Sequence, residues 1–207
     1  MDHVESKKKH WENIYDTKKI TEVSWYQPVP ESSLNFINAA GLEKNAEFID
    51  IGGGDSFLVD NLISLGYTNL NVLDISLNAI ERAKLRLADK ADEVTWIEAD
   101  ITDFNPSRTY DVWHDRAAFH FLTSPKDIQK YLDTMESAIS PGGFLILGTF
   151  SNNGPKKCSG IEIKQYSIEE LKAAVPDSFK FIEGENIDHL TPSGSLQNFT
   201  FCRFQKL

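Results

Sequence analysis

Cysteine is scarce in this chain, and the two that occur, Cys158 and Cys202, exclude two kinds of protein. They lie far apart in the sequence, so they offer neither the paired spacing of a zinc site nor the framework of a disulfide-stapled domain. We therefore expect reduced thiols, no bound metal and a cytoplasmic location.

Long apolar runs are also missing. No segment approaches the roughly 20 consecutive apolar residues that a membrane-spanning helix needs. The first residues, MDHVESKKKHWENIY, are too polar for a secretory signal peptide. The sequence therefore predicts no association with a membrane.

Positive charge is in short supply. The chain has 21 Lys and Arg residues against 31 Asp and Glu residues, which gives a formal net charge of −10. A nucleic-acid-binding protein neutralises phosphates with a basic face, so this balance argues against such a partner. The length of 207 residues fits one domain with a sizeable core.

What the chain does contain is a regular alternation of strand and helix patterns. The predicted strands are residues 46–51, 70–74, 94–99, 110–114, 144–150, 179–189 and 197–204, and the predicted helices are 57–65, 76–90, 125–139 and 167–175. Such alternation is typical of an α/β fold with a doubly wound, mostly parallel sheet. The last two strands, joined by Pro192-Ser193-Gly194, are predicted to form an antiparallel hairpin.

These elements predict one domain over residues 1–207. Its core is a seven-stranded sheet within residues 46–207, and residues 1–45 form a helical cap.

The stretch Ala46–Ser56 (AEFIDIGGGDS) joins the first strand to a glycine-rich turn. Glycines let the backbone come within contact distance of a ligand. A dinucleotide fingerprint would need a glycine where Phe57 stands, and a P-loop would need a Gly-Lys-Ser/Thr ending. Acidic residues on both sides, Asp50 and Asp55, favour a ligand with positive charge.

The pattern Asp50-x-Gly52-x-Gly54-x-Ser56 resembles the first motif of class I S-adenosylmethionine-dependent methyltransferases, with Ser56 in place of a third glycine. The resemblance implies a Rossmann-like methyltransferase fold, S-adenosyl-L-methionine as cofactor and S-adenosyl-L-homocysteine as product. The C-terminal antiparallel hairpin fits the same family.

Aspartates end the second and third predicted strands as well. Asp74, twenty residues after Gly54, would accept hydrogen bonds from ribose hydroxyls. The resemblance implies that Asp100 takes the adenine amino group and that the Ile101 N–H meets a ring nitrogen. With Asp115 at the methionine end, the predicted cofactor-binding residues of the core are Asp50, Gly52, Gly54, Asp74, Ile75, Asp100, Ile101 and Asp115.

Aromatic residues of the cap complete this prediction. Trp11, Tyr15 and Trp25 resemble the opening segment of small methyltransferases of this type. A sulfonium is a cation, and aromatic faces attract cations. We therefore predict that these three residues contact the cofactor and belong to a lid, with ordinary core packing as the alternative.

The catalytic candidates follow the fourth strand: His114, Asp115, Arg116 and His120. Arg116 would hold Asp115 or a substrate carboxylate. Either histidine would serve as a general base, since histidine titrates near neutrality, and the alternative is a histidine that supports the loop.

The resulting hypothesis is a methyltransferase that acts on a small-molecule thiol, carboxylate or hydroxyl. A protein lysine is the alternative acceptor, because lysine methyltransferases of this fold share the Trp…Tyr…Trp opening. A non-catalytic S-adenosylmethionine-binding module is the alternative from another class. The sequence leaves both a monomer and a homodimer open.

Overall fold

The computed structural model describes residues 3–207, which form the predicted α/β fold. The strands are β1 Glu47–Ile51, β2 Asn69–Asp74, β3 Val94–Glu98, β4 Tyr110–Arg116, β5 Ile139–Phe150, β6 Lys157–Cys158, β7 Ile161–Glu162, β8 Phe179–Leu190 and β9 Leu196–Lys206. The α-helices are α1 His3–Thr17, α2 Glu31–Ala39, α3 Leu58–Ser64, α4 Leu77–Leu87, α5 Pro125–Ala138 and α6 Ile168–Ala174.

Seven strands form one sheet in the order β3-β2-β1-β4-β5-β9-β8. The first five in this order are parallel to one another. Strand β9 runs antiparallel to both β5 and β8. The structure thus confirms the predicted mostly parallel seven-stranded sheet with a C-terminal hairpin.

The parallel strands are buried on both faces, as a sheet with helices on both sides requires. Successive side chains along a strand point to opposite faces. On one face, Phe48, Val112 and Ile146 pack in a cluster with residues of α2 and α3. On the other, Ile49, Trp113 and Leu145 pack in a cluster with residues of α5.

Three local features differ from the predicted elements. Strand β5 starts at Ile139 rather than 144, because Ile139 pairs with Tyr110 before an irregularity in the ladder. Helix α4 ends at Leu87, and a 3₁₀ helix, Ala88–Glu93, takes the place of its predicted last turn. The short antiparallel pair β6–β7 was not predicted.

Helix α1 of the cap is bonded to α4 of the core. The Glu12 carboxylate of α1 accepts hydrogen bonds from the backbone N–H groups of Leu77 (2.8 Å) and Asn78 (3.0 Å) at the start of α4. Because the first N–H groups of a helix have no partner within the helix, Glu12 supplies one from another element. Arg82 of α4 donates to the carbonyl of Tyr15 at 2.8 Å.

No helix among residues 3–207 is both long enough and apolar enough to cross a membrane.

Candidate active site

A cavity lies where the carboxyl ends of β1 to β4 meet the cap. This is the edge at which open α/β sheets bind ligands. It brings together eleven of the residues predicted from the sequence: Trp11, Tyr15, Trp25, Asp50, Gly52, Asp74, Ile75, Asp100, Ile101, His114 and Arg116. Gly54, Asp115 and His120 do not line it.

The glycine turn forms the floor of the cavity after β1. Gly52 has a φ of +66°, a conformation that residues with a Cβ rarely adopt. A Cβ on Gly53 would lie 2.5 Å from Asp50 Oδ2, so only glycine fits there. Gly53 lines the cavity although the motif did not single it out.

Gly54 serves the packing of the turn rather than the cavity surface. A Cβ there would lie 2.5 Å from Asp74 Oδ2 and 3.1 Å from the Ala79 Cβ of α4. The glycine therefore lets the turn approach the end of β2 and the first turn of α4 closely.

Asp74 ends β2 and is almost fully buried. Its Oδ1 accepts the backbone N–H of Ser76 at 2.8 Å. Burial raises the pKa of Asp74 to about 7, against an ordinary value of 3.8. A ligand that donates hydrogen bonds to this carboxylate would favour its charged form.

One carboxylate oxygen of Asp100 accepts hydrogen bonds, and the other has no partner among the described residues. Oδ1 accepts hydrogen bonds from the backbone N–H and the hydroxyl of Thr102, both at 2.8 Å. Oδ2 is buried and has no hydrogen-bond partner within residues 3–207. Because buried polar atoms are normally paired, this oxygen fits a ligand that supplies a donor such as the adenine amino group.

Because side chains alternate in direction along β4, its candidate residues face opposite sides of the sheet. Residues 114 and 116 point to one face of the sheet and residue 115 to the other. Asp115 accepts hydrogen bonds from the N–H groups of Ala118 (2.9 Å) and Phe119 (3.0 Å) and from the Tyr131 hydroxyl of α5 (2.8 Å). Burial raises the pKa of Asp115 to about 6. Its carboxylate supports the turn after β4 and does not reach the cavity.

His120 does not line the cavity but lies behind two rings that do. Its ring packs between Phe121 (4.6 Å between ring centroids) and Phe150 (4.7 Å), and Nδ1 accepts the Phe150 N–H at 3.3 Å. Burial, with the nearby charge of Arg116, lowers the pKa of His120 to about 3. A ring that is so hard to protonate is a poor general base, so the supporting role left open by the sequence fits this residue better.

His114 is held by two partners. Nδ1 lies 2.7 Å from Asp50 Oδ1 across the β1–β4 pair, and Nε2 lies 2.9 Å from the Ser33 hydroxyl of α2. Ser33 lines the cavity, but nothing in the sequence around it marks it as a site residue.

Arg116 extends over strand β9, where its guanidinium lies 5.0 Å from the ring centroid of Phe199. Nη1 donates to the Trp25 carbonyl at 3.2 Å. Nη2 is buried and finds no hydrogen-bond partner in the described part of the chain. Burial lowers the pKa of Arg116 to about 10, and the group stays charged at neutral pH.

The cap aromatics form the roof as one interlocked cluster. The Trp11 ring contacts Trp25 (5.9 Å between centroids) and Phe121 (5.1 Å) edge to face, and Tyr15 contacts Trp25 at 6.0 Å. Tyr26 instead packs on Phe57 at 5.8 Å, outside this cluster. Two aromatic cap segments, α1 and the stretch after it, therefore close over the same space.

The described residues bring no group of three or more His, Cys, Asp or Glu side chains together in an arrangement that could hold a metal ion.

Comparison with known proteins gives matches to methyltransferases. The family model of the methyltransferase domain matches residues 49–145. Malonyl-[acyl-carrier protein] O-methyltransferase 2 of Ilyobacter polytropus is 25% identical over 154 residues, which are 69% of this chain and 58% of that protein. EEF1A lysine methyltransferase 2 of Danio rerio is 24% identical over 157 residues, 68% of this chain and 66% of that protein. The chain thus spans about three fifths of the length of these two relatives.

Solved structures share the fold at low sequence identity. The N-methyltransferase NodS from Bradyrhizobium japonicum in complex with S-adenosyl-L-homocysteine superposes with a TM-score of 0.68 at 14% identity, over 94% of this chain and 97% of that one. A methyltransferase from Anabaena variabilis gives a TM-score of 0.71 at 11% identity, over 100% of this chain and 96% of that one. The matched methyltransferase domain and the curated relatives support the identification of this chain as a class I S-adenosylmethionine-dependent methyltransferase, and the solved structures share its fold.

Proposed function

We propose that this protein transfers the methyl group of S-adenosylmethionine to a small-molecule acceptor that carries an anionic group. The observation that carries the proposal is Arg116, a charged side chain at the cavity with a buried N–H group that has no partner in residues 3–207. A buried charge without a counterion is costly, so a bound anion would repay the burial of this guanidinium.

The cofactor would lie along the carboxyl ends of β3, β2 and β1. Asp100 Oδ2 would accept the adenine amino group, Asp74 would accept the ribose hydroxyls, and the Gly52–Gly53 turn would adjoin the methionine portion. Asp50 would act there through His114, since one of its oxygens is already bonded to that ring. Trp11, Tyr15 and Trp25 would cover the bound cofactor.

Bound S-adenosylmethionine supplies an electrophilic methyl group with a good leaving group already in place. The protein's own task is to align the acceptor with that methyl group and to exclude water. The aromatic residues of the roof would exclude water, and Arg116 would align the acceptor.

The order of the strands supports an acceptor role for Arg116. Asp74 ends β2 and Asp100 follows β3, on one side of β1, whereas the Arg116 guanidinium lies over Phe199 of β9, on the other side. Adenosine carries no anionic group, so the anion that Arg116 would bind is either the methionine carboxylate of the cofactor or a group of the acceptor, and its position over β9 favours the acceptor.

Arg116 also bears on the alternative acceptor, a protein lysine. An ammonium group that enters this half of the cavity meets a like charge, which disfavours its binding. The similarity to EEF1A lysine methyltransferase 2 keeps this alternative open to test. A module that only binds the cofactor would not need an unpaired cation beyond the cofactor's position.

The test is methyl transfer from radiolabelled S-adenosylmethionine to matched acceptors. The panel pairs small thiols, acids and hydroxy acids with their uncharged amides, and adds lysine peptides and a protein lysate. We expect transfer to anionic small molecules and much less to their amides. Transfer confined to lysine peptides or to lysate proteins would contradict the proposal, and binding without transfer to any acceptor would favour the non-catalytic module.

A further inference from the structure

Three buried polar groups in the wall of the cavity form a chain of hydrogen bonds. Asp50, His114 and Ser33 are 5%, 2% and 1% exposed. Asp50 Oδ1 lies 2.7 Å from His114 Nδ1, and His114 Nε2 lies 2.9 Å from Ser33 Oγ. Ser33, on a helix of the cap, is one end of the chain, and all three residues line the cavity.

The chemistry of the three groups fixes where the protons lie. A carboxylate only accepts hydrogen bonds, so His114 must present a proton at Nδ1 to Asp50. In the neutral ring Nε2 is then an acceptor, and the Ser33 hydroxyl donates to it. The Ser33 oxygen is left with lone pairs for a donor from the cavity.

The position of this chain matches the place where a methyl acceptor must lose a proton. Asp50 is paired with His114 across β1 and β4. These two strands lie between the aspartates proposed to hold adenosine and the guanidinium proposed to hold the acceptor. Ser33 thus reaches the cavity near the boundary between its two halves.

We propose that Ser33, His114 and Asp50 form a proton relay that deprotonates the methyl acceptor. The inference rests on the proposed function above. Ser33, which would touch the acceptor, is the catalytic residue of the relay. His114 accepts the proton that Ser33 gives up, and Asp50 positions the ring and stabilises its charged form.

Bonds, protons and charge balance in this step. A bond forms between the acceptor oxygen and the methyl carbon while the sulfur–carbon bond breaks, which leaves neutral S-adenosylhomocysteine. The acceptor O–H proton passes to Ser33 Oγ as the Ser33 proton passes to His114 Nε2. The reverse shift, after the product leaves, returns the proton to solvent through the open cavity.

This relay narrows the class of acceptor. A carboxylate is already ionised at neutral pH and needs no base, whereas a hydroxyl needs one. A relay in the cavity therefore indicates a hydroxyl nucleophile. Together with Arg116, it indicates a hydroxyl compound that carries a separate carboxylate or phosphate group.

Groups from three elements face the His114 ring. Asp50 faces it from β1 and Ser33 from α2, while the Phe48 ring stacks on it at 6.2 Å. On its own strand, Asp115 and Arg116 are the nearest charged residues, and they point to opposite faces.

The experiment compares Ser33→Ala with Ser32→Ala, a change on the same helix at a residue that does not line the cavity. Arm one measures transfer to a hydroxy acid and to a thiol of the same skeleton between pH 6 and pH 9. General-base catalysis contributes on the order of 10²- to 10⁴-fold, so Ser33→Ala should lose about that much for the hydroxyl near neutral pH. The thiol, which is partly ionised at high pH, should lose much less, and Ser32→Ala should lose nothing.

Arm two needs no turnover. We expect the ¹⁵N spectrum of His114 to show an unprotonated Nε2 and a protonated Nδ1 at neutral pH, and Ser33→Ala to shift Nε2 while the S-adenosylhomocysteine dissociation constant stays unchanged. A proton on Nε2 with a bare Nδ1, or equal losses for hydroxyl and thiol, would overturn the relay while methyl transfer by the wild-type protein stands. Absence of any wild-type transfer would instead overturn the proposed function and the relay with it.

Discussion

At the scale of single residues, the site depends on buried charges whose partners are only partly within the chain. Asp100 has one unused oxygen and Arg116 one unused N–H group among the described residues. Asp74 has a pKa raised by burial to about 7. Each of these groups is costly in the protein alone and is stabilised by a ligand of suitable charge, which gives two predictions.

The first concerns Asp74 and pH. Ribose hydroxyls would donate to the charged carboxylate, and protonation below pH 7 removes that acceptor. We therefore expect the affinity for S-adenosylhomocysteine to be highest above pH 7 and to fall below it, by at most about tenfold per pH unit. Calorimetric titration between pH 5.5 and pH 8.5 measures this dependence.

The control for that titration is a pair of asparagine substitutions. Asp74→Asn should weaken binding at high pH by about 1.5–3 kcal/mol, the value of hydrogen bonds to a charged group, and should flatten the pH dependence. Asp103→Asn, at an exposed carboxylate outside the cavity, should change neither. If the affinity of Asp74→Asn still depends on pH, the titrating group is not Asp74.

The second residue-scale prediction concerns Arg116. Arg116→Met keeps much of the side chain's length and removes its charge. Loss of a charge-assisted contact of about 1.5–3 kcal/mol should raise the KM for an anionic acceptor by roughly 10- to 150-fold. Steady-state kinetics with each acid and its amide measure the change, and the amide should be nearly unaffected.

Arg108→Met is the matched control, because Arg108 is exposed and its only ion pair among residues 3–207 joins it to Glu47. An equal loss for acid and amide in Arg116→Met would mean that the residue supports Trp25 and the cap rather than the acceptor.

At the scale of elements, the sequence predicts the positions of strands better than the directions of side chains. Strands β1 to β4 and the hairpin follow from short apolar segments bounded by turn residues, which are local signals. Asp115 and Arg116 were both assigned to the cavity, but neighbours on a strand face opposite ways, and only Arg116 reaches it. Ser33 meets His114 across 81 residues of sequence, so no local pattern relates them.

The third prediction concerns the contact between α1 and α4. We expect residues 1–30 to be protected from hydrogen exchange more strongly when S-adenosylhomocysteine is bound, because the roof aromatics would then contact a ligand. Glu12→Gln removes the charge that meets the positive end of the α4 dipole and should reduce the protection of residues 5–18 in the ligand-free protein. Exchange measured by mass spectrometry, with and without ligand, checks both expectations.

Glu5→Gln is the control in the same helix, since Glu5 is exposed. Equal protection of residues 5–26 with and without ligand would mean that the cap is a static part of the fold. Full turnover after deletion of residues 1–24 would exclude a lid by a separate route.

At the scale of the whole molecule, the parallel strand order β3-β2-β1-β4-β5 is shared with dinucleotide-binding proteins, and the charge around the cavity decides between the two kinds of ligand. Asp50, Asp74 and Asp100 all line the cavity. A pyrophosphate would be repelled by these carboxylates, and Phe57 replaces the glycine that allows close helix–strand packing in dinucleotide-binding proteins. In S-adenosylmethionine the sulfonium and the amino group outweigh the single carboxylate, so the net charge of the cofactor is attracted by the aspartates.

The last prediction follows from that difference. A ligand at a hundredfold excess over its dissociation constant stabilises the folded state by about 2.7 kcal/mol. For a chain of this length, each kcal/mol raises Tm by about 2–4 °C, so saturating S-adenosylhomocysteine should raise Tm by roughly 5–10 °C. NAD at the same concentration should leave Tm unchanged. Differential scanning fluorimetry measures both changes in Tm. Asp100→Asn should reduce the rise in Tm that S-adenosylhomocysteine gives, because an amide offers no charged acceptor to the adenine amino group. An equal shift with NAD would mean that the acidic rim does not select the ligand.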